Sequence, residues 1–226
     1  MRLRDLGFVN AALYLCDQAL KRLTGSRVFI QRYYLVTQPV GGSFRLPRRL
    51  GESLDVRAVA QGDESIASMP RRRDVIESRF RQGSSCLGLY RAQQMIGFIW
   101  LSPGPYVEDE VRCRFIPAPE RQACWDYDLY IAPDQRNGVA FMKLWSTAME
   151  RLRAQGVAWS ASRISAFAPG SLAAHRRMGA AVVGQAFFFV AFGLQLTVAT
   201  LRPFLHLSFR NASRPEIRVS APARES

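Results

Sequence analysis

Lysine is nearly missing from this chain of 226 residues: of 31 basic residues only Lys21 and Lys143 are lysine, which leaves 29 arginines. Such a skew follows coding composition as readily as function, so a single arginine is discounted as a functional signal. Histidine is as scarce, with His175 and His206 alone, and the four cysteines (Cys16, Cys86, Cys113, Cys124) form no C-x-x-C pair. A zinc site built from cysteine and histidine therefore has no support in the sequence. Widely spaced free thiols fit a reducing, cytoplasmic compartment. Long apolar runs are missing too. The richest, Ala186 to Leu201, is broken by Gly193 and Gln195 and falls short of the ~20 residues a spanning helix needs; it reads as two strands. Residues 7 to 20 are largely apolar, but Asn10, Asp17 and Gln18 interrupt them and no secretory pattern emerges. Finally, no dense basic run interleaved with aromatics appears, which argues against nucleic acid as a partner. The net charge of +13 still favours anionic partners, such as a nucleotide-bearing cofactor or a membrane surface.

What the chain does have is material for a core, at 48% hydrophobic residues. Its centre, Trp125 to Ala180, reads as strand, short loop, helix, strand and short helix. The strand W-D-Y-D-L-Y-I-A-P leads into the loop D-Q-R-N-G, which opens the helix Val139 to Gln155. A loop that turns from a strand into a helix N-terminus aims several backbone N–H groups at one place, where a phosphate can sit. Phe141, Leu144, Trp145, Ala148 and Leu152 form the face of that helix expected on a sheet.

Before this centre, residues 4 to 23 place Leu6, Val9, Leu13, Cys16, Leu20 and Leu23 at helical spacing, the face expected to pack on the domain. Nine basic against two acidic residues in positions 1 to 50 keep peripheral contact with the inner face of a membrane open as an alternative. Arg27 to Val40 is β-branched and aromatic, an extra strand; Gly41 to Gly51 is a basic connector. A strand from Leu54, a helical segment Asp63 to Arg81 divided by Pro70, and a hairpin of Cys86–Arg91 with Met95–Ser102 follow. Val111 to Phe115 is a further strand candidate. After the centre come Ala181–Phe192 and Leu194–Leu201 as strands. Residues 210 to 226 read as a polar, aperiodic tail. The expected division is 1–50 as an N-terminal extension, 51–209 as the main domain and 210–226 as the tail. The fold class is α+β, a mixed, mostly antiparallel sheet of six to seven strands with helices on both faces.

From Leu54 to Leu201 this order resembles the GCN5-related N-acetyltransferase superfamily. M-I-G-F-I-W-L-S looks like that family's third strand and Y-D-L-Y-I-A-P like its fourth. Q-R-N-G-V-A matches its pyrophosphate motif, and S-L-A-A-H-R-R-M-G-A its last helix. The resemblance implies an enzyme that binds acetyl-CoA or another acyl-CoA as substrate and acylates an amine by direct attack. It implies cofactor contacts at Gln135, Arg136, Asn137, Gly138, Val139, Ala140 and Ser171, with an oxyanion met by a backbone N–H near Ile131. The asparagine usual after the fifth strand is Ala168 here, and the tyrosine usual as leaving-group acid is His175. For the base, Asp126 and Asp128, expected to share a strand face by alternation, stand beside Glu108 in the acidic run Glu108-Asp109-Glu110. Two other readings stay open: a lapsed acyl-CoA-binding module of the same fold, and a membrane-associated enzyme for long acyl chains. A homodimer also stays open.

Overall fold

The computed structural model describes residues 3–41, 51–136, 138–209 and 213–222. The connector expected between Gly41 and Gly51 therefore falls, from 42 to 50, outside the described residues, and so does Asn137.

In chain order the elements are α1 (Gly7–Thr24), β1 (Val28–Pro39), β2 (Leu54–Val59), α2 (Arg73–Arg81), β3 (Ser85–Arg91) and β4 (Gln94–Ser102). Then come β5 (Tyr106–Val107), β6 (Arg114–Ala118), β7 (Ala123–Ile131), α3 (Val139–Ala154), β8 (Trp159–Ser165) and α4 (Pro169–Arg177). The chain ends with β9 (Ala181–Ala191), β10 (Leu194–Ala199), β11 (Leu205–Phe209) and β12 (Glu216–Ser220). Pro70 divides the segment before β3 as expected, with a single 3-10 turn at Glu64–Ser68 on one side and α2 on the other.

Two compact units result: Met1–Gln38 with Pro105–Pro119 and Ala161–Ser226, and Pro39–Gly104 with Glu120–Ser160. In the second unit the strands run β7-β4-β3-β2, each antiparallel to its neighbour. Helix α3 packs across all four of them, because Leu144, Trp145, Ala148 and Leu152 recur at three- and four-residue spacing and are buried. Phe80 of α2 meets Trp100 of β4 edge-on, with ring centroids 4.9 Å apart.

In the first unit the order is β11-β10-β9-β1-β8. A separate three-stranded sheet holds β12, β6 and β5, with β12 parallel to β6. The sheets thus extend beyond the six or seven strands expected, and the segment read as a tail contributes β12. Its apolar signal is two residues only, Ile217 and Val219, between polar neighbours, yet both are fully buried. An alternation that short disappears in a polar sequence.

Helix α1 forms where its periodicity places it but turns a different side inward. Asp17 is its one buried residue. Asp17 Oδ1 accepts the Ile30 N–H of β1 at 2.9 Å, and Thr24 Oγ1 accepts the Val28 N–H at 3.0 Å. Two backbone donors on β1 thus find side-chain acceptors on the helix. Val9 and Leu23, expected inside, are exposed.

Candidate active site

The site begins on β7 with a break in alternation. Trp100 of β4 pairs with Tyr127, but Phe98 pairs with Tyr130, so two steps on β4 answer three on β7. This is a β-bulge, and Asp128 sits in it at φ +49°. The bulge rotates Asp128 away from the face that strict alternation assigns it. Arg79 lies over the rings of both Trp100 and Tyr127 and also bonds Asp128, so Asp128 lies on the Tyr127 side. The two aspartates therefore do not share a face.

Their surroundings differ accordingly. Asp128 is gripped by two guanidinium groups: Arg71 binds both oxygens through Nε (2.8 Å) and Nη2, and Arg79 Nη1 binds Oδ2 at 2.5 Å. Burial works to raise the Asp128 carboxyl, but the hydrogen bonds and charges of Arg71 and Arg79 outweigh it and hold the pKa below the ordinary value. Asp126 is buried, and its Oδ2 accepts the Ser160 hydroxyl of β8 at 2.5 Å.

Past β7 the chain closes a turn at Pro133–Gln135 and enters α3. Arg136 reaches back so that its Nε donates to the Ile131 carbonyl at 3.0 Å. Gln135 accepts from Arg91 of β3 and donates to Asp134. These bonds tie the loop to the strand ends. Gly138 is the N-cap of α3 at φ +85°, with no side-chain cap bond, and the first turn carries no acidic residue. A Cβ added at Gly138 would meet nothing within 4 Å, so the glycine answers to backbone conformation and to whatever approaches from outside. Val139 and Ala140 follow, Ala140 fully buried. Close approach of a different kind occurs at Gly97 of β4. A Cβ there would stand 2.7 Å from the Tyr130 carbonyl oxygen and 2.7 Å from Ile131 Cδ1, so β4 meets the end of β7 tightly where Ile131 is fixed.

Beside these elements, a cavity of about 480 Å³ opens in the same unit. Its lining includes Asp63, Glu64, Met69, Arg71, Glu77 and Phe80. Arg71 is thus shared between the cavity wall and Asp128.

The remaining predicted residues belong to the first unit. Glu108 is buried and accepts two bonds from Arg163 of β8, at 2.8 and 3.1 Å, with the Asp109 N–H at 3.2 Å. Glu110 joins the network through Arg163 at 3.2 Å and the Tyr33 hydroxyl at 2.8 Å. Burial opposes the Arg163 charge, but Glu108, Tyr33 and Glu110 reverse that and raise its pKa well above the ordinary value. Burial likewise drives the Tyr33 phenol upward, further than Arg163 pulls it down. The acidic run is therefore not a solvated loop at Glu108. His175 is buried, and its Nδ1 stands 2.8 Å from the Ser171 carbonyl one turn back in α4. A carbonyl can only accept, so Nδ1 carries the proton in that bond. Ser171 itself is exposed. Burial pushes the thiols of Cys86, Cys113 and Cys124 far above the usual range, which removes them as nucleophiles at neutral pH.

Sequence reasoning missed Arg71, Arg79, Ser160 and Arg163, the partners of the carboxylates. Three are arginines among 29, and nothing local sets them apart. Among the described residues no cluster of three or more histidine, cysteine or acidic side chains is disposed to hold a metal ion.

No family model and no curated protein sequence matches the chain. Solved structures do. One is the GCN5-related glucosamine N-acetyltransferase region of a fungal multi-domain β-N-acetylglucosaminidase, 10% identical, covering 76% of this chain and 22% of that one at a TM-score of 0.52. Another is a protein from Novosphingobium aromaticivorans described as a GNAT-family acetyltransferase, 10% identical over 71% of this chain and 64% of that one, TM-score 0.49. A conserved protein of unknown function from Staphylococcus epidermidis matches at 8% identity, over 77% of this chain and 65% of that one, TM-score 0.49. In each case the chain spans less than two thirds of the matched protein. The class defined by the elements is a mixed α+β domain with a large, mostly antiparallel strand system. More specifically, its fold is that of the GCN5-related N-acetyltransferases.

Proposed function

We propose that the protein is an acyl-CoA-dependent N-acyltransferase, with acetyl-CoA as donor and an amine as acceptor. The observation that carries this reading is the β7–loop–α3 turn, with Gly138 at positive φ as a side-chain-free N-cap, set in an acyltransferase fold. The amides at Gly138, Val139 and Ala140 would receive the CoA pyrophosphate, favoured by the positive end of the α3 dipole. Arg136 and Gln135 hold the loop in shape.

In the reaction the amine nitrogen attacks the thioester carbonyl carbon. A C–N bond forms, the C–S bond breaks, and CoA leaves as thiol with the proton the amine gives up. Charge on the carbonyl oxygen builds up next to the backbone at Ile131. Asp128 and Glu108 are held by arginines as structural anions, and Asp126 is retained as the candidate base. His175, bonded through Nδ1 to the Ser171 carbonyl one turn back in α4, is retained as the candidate acid for the leaving thiolate. The cavity beside Arg71 carries Asp63, Glu64 and Glu77 against Arg71 and Arg73; with Glu77 paired to Arg73, Asp63 and Glu64 are the acids left to meet a cationic acceptor.

Isothermal titration of acetyl-CoA into the protein and into Gly138→Val tests the reading. A Cβ at Gly138 meets nothing within 4 Å, so the cost to the fold is chiefly the strain of a sparsely populated backbone conformation, about 1–3 kcal/mol. Binding should weaken at least about tenfold, because the side chain occupies the path of the phosphates. Equal affinity in the two proteins, or none in either, removes the proposal. CoA binding without turnover over a broad amine panel would identify a lapsed binding module instead.

A further inference from the structure

Helix α1 is amphipathic in reverse. Its polar residues face the protein: Asp17 accepts the Ile30 N–H, and Asn10 bonds Arg32 at 2.9 Å and Tyr34 at 3.2 Å. Its apolar stripe faces out, with Phe8 90% exposed, Leu15 54% and Leu23 84%. A helix stabilised in water places its apolar side on the core; this one keeps that side free.

A second apolar surface lies in the same unit. On β10 and β11 the register sets Leu194 opposite Phe209, Leu196 opposite Leu207 and Val198 opposite Leu205. Most of these side chains are exposed, Leu205 at 67% and Leu207 at 65%. The rows continue onto β9, where Phe189 pairs with Leu196 and Phe187 with Val198. Arg32 locates α1 relative to them. Opposite Phe187 in the register, it bonds Asn10 of α1 through one nitrogen and Gln185 of β9 through another. The helix anchor and the apolar rows therefore share one face of the sheet. Together they exceed what scattered surface leucines explain.

The charge says what covers this face. The first unit has sixteen basic against seven acidic residues, a net of +9 out of +13. Arg22 in the last turn of α1, Arg27 just before β1 and Arg202 between β10 and β11 are exposed on the elements that carry it or next to them in the chain. A second copy would oppose +9 with +9. An anionic lipid surface neutralises it while taking up the apolar side chains. Among the described residues no helix is long and apolar enough to cross a membrane, so the contact is one in the plane of the interface.

We propose that the outward stripe of α1 and the apolar rows of β9, β10 and β11 form a docking surface for an anionic bilayer. This does not depend on the acyltransferase reading. The test is co-sedimentation of the full chain with phosphatidylcholine vesicles and with vesicles that also contain phosphatidylglycerol. Binding is expected to the second kind and to fall with added salt. Phe8→Ser with Leu15→Ser, and separately Leu205→Gln with Leu207→Gln, should each lower the partition coefficient at least about tenfold. Their circular dichroism and melting should match the parent, since these side chains contact solvent. Three results would overturn the proposal: no binding to the anionic vesicles, variants that bind as the parent does, or light scattering that shows a dimer lost in the same variants.

Discussion

Asp128 shows how one side chain changes meaning with its neighbours. In the sequence it is a strand carboxylate two positions from another, a candidate base. In the fold a bulge turns it toward Arg71 and Arg79, and its lone pairs are taken by guanidinium groups. Asp128→Asn should therefore cost about 3 kcal/mol in urea unfolding at pH 7, because Arg79, whose side chain is 6% exposed, keeps its charge and loses its counter-ion. The sign with pH follows from the lowered carboxyl pKa. Stability from the ion pair is complete above the ordinary aspartate value of 3.8 and is lost as pH falls through the lower folded value. The gap between parent and variant should thus close in acid. A gap that stays constant down to acid pH would mean that Asp128 does not carry the pair.

At the scale of elements, β12 makes a sharp prediction. Ile217 and Val219 are fully buried on a five-residue strand that runs parallel to β6. Ile217→Ala should lower stability by about 3 kcal/mol; an unchanged urea midpoint would mean that β12 does not belong to the cooperative fold. The same element marks what the sequence does and does not disclose. The turn at Gly138 was legible as a turn because a glycine stands between a strand pattern and an amphipathic helix. The hairpin of β3 and β4 was legible from two apolar runs joined by a short polar turn, and the face of α3 from periodicity sustained along a long helix. β12 was not, since two apolar residues make no period. Nor was the orientation of α1: periodicity predicts a helix, but the side that turns inward is decided by Asp17, Thr24 and Asn10 bonding to β1 and its side chains. The alternation rule failed on β7 for a related reason, as a bulge is fixed by pairing with β4 and not by its own residues.

For the whole molecule the leading quantity is charge, a net +13 and an isoelectric point of about 10.6. Specific sites account for little of it, since Asp128, Glu108 and Asp17 each neutralise a nearby cation. What remains is a positive field around a protein proposed to bind a polyanionic cofactor. Such a field acts on encounter more than on the bound state. The association rate for acetyl-CoA, measured by stopped flow, should fall at least about tenfold between low salt and 1 M, where the screening length shrinks to about 3 Å. The dissociation rate should change far less, as it is set by the short contacts at the loop. Gly138→Val should behave oppositely, speeding dissociation while leaving the salt dependence of association intact, because it alters the loop and no charge. An association rate flat in salt would show that the surplus arginines do not steer the cofactor, and would leave the anionic bilayer as the partner their charge serves.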